Sequence, residues 1–184
     1  MALMFDITPD EIAQLDDVDL RTLVGRLCEA ELANLGLSAS AVTYGGDQRA
    51  ADGGLDVRVT LTAGTILDGF IPRPSTGFQV KAEDMPRRKI AAEMRPNGLL
   101  RPVIGDLAGE GGAYIIVTSK GSVADLPLRE RRDAMRNGLR DLDSPDRLLV
   151  EFYDRNRLAS WVRRHPGLVT WVKEKVGRAL TGWR

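Results

Sequence analysis

The sequence predicts an α/β fold in which a mixed central sheet is flanked by helices. The expected order is helix, three strands, helix, strand, helix, strand and terminal helices. Three observations predict it. Leu20, Leu23, Val24, Leu27, Cys28 and Leu35 recur at helical spacing and form an apolar stripe. Two segments, Leu55 to Leu61 and Gly77 to Lys81, alternate polar and apolar residues, as strands with one buried face do. Ala113 to Val117 is an unbroken apolar run preceded by Gly111-Gly112, the mark of a strand covered on both faces.

In chain order, Thr8-Pro9-Asp10-Glu11 predicts a short helical turn. The first long helix runs from Asp17 or Asp19 to Leu35, where Gly36 stops it. At roughly 100° per residue, Glu31 falls within the apolar stripe and Glu29 opposite it. An acid on a buried stripe is costly unless a cation meets it, so Glu31 either serves a cation site or pairs with an arginine near the helix end. Val42-Thr43-Tyr44 reads as a short strand, followed by a loop through Asp47 and the turn Asp52-Gly53-Gly54. Asp47 and Asp52 are turn residues or outlying members of a metal shell. The next strand is expected to point Leu55, Val57, Val59 and Leu61 one way and Asp56, Arg58 and Thr60 the other.

Residues 62 to 76, broken by Gly64, Gly69, Pro72 and Pro74, read as an extended hairpin connection. Arg73 within it is a surface residue or a phosphate contact. In the following strand Phe78 and Val80 share one face, Gln79 and Lys81 the other. Asp84 is expected to cap a helix with Pro86 near its start. Arg87, Arg88 and Lys89 on its first turn oppose the helix dipole, which a nearby anion such as DNA phosphate would explain. The helix breaks at Pro96-Asn97-Gly98 and a second piece spans 99 to 108. After the buried strand come an arginine-rich helix over 122 to 141, a strand from Leu148 to Tyr153, and two helices around His165-Pro166-Gly167. Trp161 and Trp171 on those helices are expected in the core.

At 184 residues the chain fits one domain, with a core over about 17–160 and a C-terminal helical extension over about 157–181. Lys and Arg number 26, as do Asp and Glu, so no global positive field draws nucleic acid. The distribution is dipolar, with acids concentrated over 6–31 and bases from Arg155 onward. Such ends form a basic DNA face or solvated helix faces. A lone Cys28 excludes a disulfide framework and fits a reducing, cytoplasmic setting. No apolar run approaches the length of a membrane span. The single His165, placed in a turn before proline, excludes histidine-metal nucleases and most catalytic triads. No glycine-rich loop ends in Lys-Ser/Thr, so nucleotide hydrolysis has no support.

Pairing the two alternating strands places Asp56 beside Gln79 and Lys81. An acid that holds a divalent cation, an oxygen ligand and an ammonium that orients water suit phosphodiester hydrolysis. Asp52-Gly53-Gly54-Leu55-Asp56 with Gln79-Val80-Lys81 resembles the Asp…(Glu/Gln)-x-Lys core of restriction-endonuclease-like nucleases, in the Mrr-type branch with Gln at the middle position. The predicted element order agrees with the α-β-β-β-α-β core of that fold. Gln79 stands where a carboxylate is more usual, which leaves the site one negative charge short, although an amide oxygen still ligates a hard cation.

The resemblance implies a metal-dependent endonuclease acting on double-stranded DNA. Mg²⁺, with Mn²⁺ able to substitute, would be held by Asp56, by Glu31 on the first helix, and by Gln79 or the Val80 carbonyl. Lys81 would orient or help deprotonate the attacking water, and Arg87, Arg88 and Lys89 would take DNA phosphates without reading sequence. It also implies an effector role in antiphage or restriction defence, with further domains or partner chains for sensing, and self-association as an option. The alternatives are a catalytically decayed nucleic-acid-binding or protein-docking module of the same fold, and an RNA-cleaving enzyme.

Overall fold

The computed structural model describes residues 6–45, 54–121 and 124–177. The expected strands form one five-stranded sheet in the order β1-β2-β3-β4-β5, comprising Val42–Tyr44, Val57–Thr60, Ser75–Lys81, Ala113–Thr118 and Leu149–Tyr153. The first three strands are antiparallel, as short connections permit; β4 and β5 run parallel to β3 because helices carry the chain back between them. The helices are α1 (Pro9–Ile12), α2 (Asp17–Asn34), α3 (Arg87–Met94), α4 (Pro102–Gly109), α5 (Asp125–Gly138), α6 (Arg155–Arg163) and α7 (Pro166–Lys175). The architecture is therefore α/β, a mixed sheet between two helical layers.

Two apolar clusters fill the two sides. The first joins the α2 stripe and Trp161 to Val57, Val59, Phe78, Val80, Ile115 and Val117. The second joins Ile90, Met94, Leu107 and Met135 to Tyr114, Ile116, Val150 and Phe152. Alternate residues of β4 thus enter opposite cores, which is why its sequence is apolar throughout. Trp161 is fully buried and stacks on Phe70 at 4.9 Å. Trp171 is half-buried under the Arg26 guanidinium.

Two local expectations need correction. Leu55 does not share a face with Val57, because the strand begins only at Val57, after a turn in which Gly54 has φ +88°. Leu55 packs instead into the second cluster, over Gly77, where an added Cβ would come within 2.7 Å of its methyls. Nor does Asp84 cap α3. Pro86 occupies that position without a side-chain cap, and Asp84 accepts a hydrogen bond from Arg131 at 3.0 Å.

The dipolar charge distribution also has a structural explanation. Arg155, Arg163, Lys173 and Lys175 pair with Asp10, Asp6, Glu11 and Asp19, so the basic end of the chain packs on its acidic beginning. The arginines of α5 are likewise engaged. Arg129, Arg132 and Arg136 pair with Asp125, Glu151 and Asp133, and Arg131 is buried against Met85 and Phe152.

Candidate functional site

Asp56, Gln79 and Lys81 are brought together at the end of the sheet where β2 begins and β3 finishes. Val57 lies opposite Phe78, so Asp56 falls beside Gln79, and the Asp56 amide donates to the Phe78 carbonyl at 2.9 Å. Asp56 Oδ2 accepts from Gln79 Nε2 at 2.9 Å and from the Val80 backbone amide at 2.7 Å. Val80 thus meets the carboxylate through its N–H rather than its carbonyl. Arg21 of α2 pairs with Asp56 Oδ1 at 2.8 Å. A carboxylate offers about four lone-pair positions; three donors use most of them.

Lys81 extends from the same face of β3 as Gln79, and its Nζ pairs with Glu93 Oε2 at 3.0 Å. Glu93 Oε1 accepts from Arg101 at 2.8 Å, and the same guanidinium holds the Glu93 carbonyl at 2.6 Å. Arg101 lies against Gly54, where a Cβ would fall 2.5 Å from its Nη1. Gly54 is therefore required twice, for its positive φ and for this close approach. The result is a cluster of two ion-paired groups, Asp56 with Arg21 and Glu93 with Lys81 and Arg101, with the side chains of Asp56 and Glu93 only 17% and 14% exposed.

Two polar atoms at this cluster are orphaned. Gln79 Oε1 and the Tyr114 hydroxyl are buried without a hydrogen-bond partner. Burial pushes the Tyr114 phenol well above its ordinary value; Glu93 and, more weakly, Asp56 push it the same way, while Arg101 opposes. Leaving an acceptor and a donor buried and unmet costs about 1–3 kcal/mol each, so groups of this kind call for a water or an ion.

The structure does not bring Glu31 to Asp56. It is buried on the apolar stripe of α2, as its helical angle implies, but its position along the axis puts it elsewhere. Arg21 is the α2 residue that reaches Asp56, and Glu31 lies ten residues further, about 15 Å along the axis. Its Oε2 accepts from Trp161 Nε1 at 3.1 Å and meets His165 Nε2 at 3.0 Å, and its Oε1 pairs with Arg164 at 3.2 Å. His165, at the turn before Pro166, is correspondingly buried. Glu29 is bonded by the Tyr44 hydroxyl.

Arg87, Arg88 and Lys89 are exposed on α3, with Lys89 paired to Glu83. They follow Lys81 closely in the chain and sit on the helix that carries Glu93. Arg73 lies two residues before β3, donating to the Gly111 carbonyl at 3.0 Å, so the whole length of that strand, about 20 Å, separates it from Lys81. Asp47 and Asp52 lie outside the described residues. Sequence reasoning missed Arg21, Glu93, Arg101 and Tyr114. The available signal for Glu93 was its place next to the Ile90 and Met94 stripe of α3, on the layer covering the polar face of β3.

Among the described residues no three His, Cys, Asp or Glu side chains converge, and no helix is long and apolar enough to cross a membrane. A cation here would therefore be held by carboxylate and neutral oxygens together. The unmet Gln79 Oε1 fits that role, since a hard ion accepts amide oxygens. Comparison with models of known families, with curated proteins and with solved structures found no match.

Proposed function

We propose that the chain is a metal-dependent nuclease domain with a restriction-endonuclease-like core, hydrolysing phosphodiester bonds in double-stranded DNA as an effector of restriction or antiphage defence. One observation carries the reading: Asp56, one residue before β2, accepts a hydrogen bond from Gln79 of β3, with Lys81 two residues on and on the same face. The order α2, β1-β2-β3, α3/α4, β4, with β4 parallel to β3, supports the α-β-β-β-α-β core.

Asp56 and the Gln79 amide oxygen would hold Mg²⁺ or Mn²⁺, which when bound acts as a Lewis acid toward the phosphate. Lys81 orients the attacking water and stabilises negative charge on the phosphorane as one P–O ester bond breaks. Arg21, Lys81 and Arg101 outnumber Asp56 and Glu93 by one positive charge, which favours the approach of a phosphodiester. Arg87, Arg88 and Lys89 extend that surface to phosphates further along the strand, without reading sequence.

The closure of the site by its own partners favours a second reading, a decayed binding module, since Asp56 and Lys81 are each engaged within the chain. The test is nicking of supercoiled plasmid in Mg²⁺ or Mn²⁺, with single-stranded RNA in parallel. The nuclease reading expects cleavage by the wild type and loss of roughly 10²–10⁴-fold in Lys81→Ala, the range for a group acting on a proton in flight. Asp56→Ala is expected to be inactive. Full activity in Asp56→Ala would remove this site from the chemistry, and cleavage of RNA alone would change the substrate class.

A further inference from the structure

We propose that the second carboxylate of the cation site is Glu93 of α3, acting with Asp56 and Gln79 Oε1. The inference rests on the nuclease reading and names a ligand that the sequence motif does not contain. Asp56 with one amide oxygen supplies a dication with a single negative charge, less than hard-ion sites commonly gather. Glu93 is the acid that reaches the motif, through Lys81 at 3.0 Å. It is also tied to the turn that delivers Asp56, because Arg101 grips both its carboxylate and its carbonyl while lying against Gly54.

The orphaned atoms point to the same place. Gln79 Oε1 is a buried acceptor and the Tyr114 hydroxyl a buried donor, on β3 and β4 of the sheet face that α3 covers. A cation with its waters satisfies both at once: the amide oxygen as ligand, the phenol as donor to a water. Glu31 is a poor competitor, since it lies about 15 Å along α2 from Arg21, the residue of that helix that reaches Asp56. In this arrangement the Glu93–Lys81 pair is the resting form. When the carboxylate turns to the ion, Lys81 is released toward water and phosphate.

The test is Mn²⁺ binding followed by electron paramagnetic resonance, which needs no substrate. Glu93→Gln is expected to weaken binding at least about tenfold, the loss typical of even outer partners of a metal site. Asp56→Asn should do so as well, while Glu31→Gln should leave affinity unchanged. Glu93→Asp keeps the charge but retracts the carboxylate, and is also expected to bind more weakly. If Glu93→Gln or Glu93→Asp binds like the wild type while Asp56→Asn does not, Glu93 is no ligand and the nuclease reading survives. If the wild type itself binds no Mn²⁺, both fail together. Because Glu93→Gln also strips a partner from Lys81 and Arg101, a wild-type measurement stands beside it. On Mg²⁺ addition the Glu93 and Val80 amide resonances should shift and the Trp161 indole N–H, which reports on Glu31, should not. A shift at the indole without one at Glu93 would overturn the assignment.

Discussion

Glu31 is a buried carboxyl group whose oxygens are held by an indole N–H, an imidazole and a guanidinium. Removing it leaves Trp161 Nε1 and His165 unmet between α2, α6 and α7. Truncation of one partner in such a buried network costs about 3–5 kcal/mol, so Glu31→Ala should lower the urea midpoint by that equivalent. Under the proposed nuclease reading, any loss of cleavage should track the unfolded fraction. Unchanged stability with abolished cleavage would return Glu31 to the reacting centre. The contrast with Asp56 is physical rather than chemical: one carboxylate faces a locking network, the other a cluster with unmet oxygen and hydroxyl groups.

At the scale of elements, α2 fixes the site by lying close to the sheet. Gly25 permits this, because a Cβ there would overlap the Tyr44 ring of β1. Gly25→Ala gains about 1 kcal/mol of helix propensity but must push α2 away from β1. Overpacking of this kind costs about 1–3 kcal/mol, so a net loss of thermal stability is expected, with weaker coupling of Arg21 to Asp56. A stabilised variant would mean that Tyr44 gives way and α2 is not held at that distance. Most elements were legible from periodicity, because each strand and helix buries a face that its own sequence displays. Leu55 was misread because strand phase was extended through the Gly54 turn, where alternation stops. Glu31 was misassigned because a helical wheel gives an angle but no axial position. Glu93 and Tyr114 were invisible for a related reason: they come from α3 and β4, and only the packing of layers brings Glu93 to Lys81 and Tyr114 within the field of Asp56.

Over the whole molecule, the two ends of the chain are joined by charge. Most of the pairs are exposed and each contributes little, but Glu11 is buried, caps α1 through Thr8 and meets Lys173 at 3.1 Å. Burial raises the Glu11 carboxyl, yet the Thr8 amide and Lys173 outweigh it and hold it below its ordinary 4.5. A lowered carboxylate contributes stability that is present above the unfolded value and is lost as pH falls through the folded one. Glu11→Gln should therefore cost roughly 1–3 kcal/mol at neutral pH, with the gap to wild type closing below pH 4.5 in thermal melts. A gap independent of pH would mean that the charge is not what joins the ends.

The central claim is that the Asp56 cluster is a cation site, and anomalous scattering from crystals soaked in Mn²⁺ tests it most directly. The account predicts one peak in contact with an Asp56 oxygen and Gln79 Oε1, with Lys81 displaced from its pair with Glu93. Strong Mn²⁺ density elsewhere, or an Asp56 carboxylate still closed by Arg21, Gln79 and Val80 with no ion beside it, would contradict it.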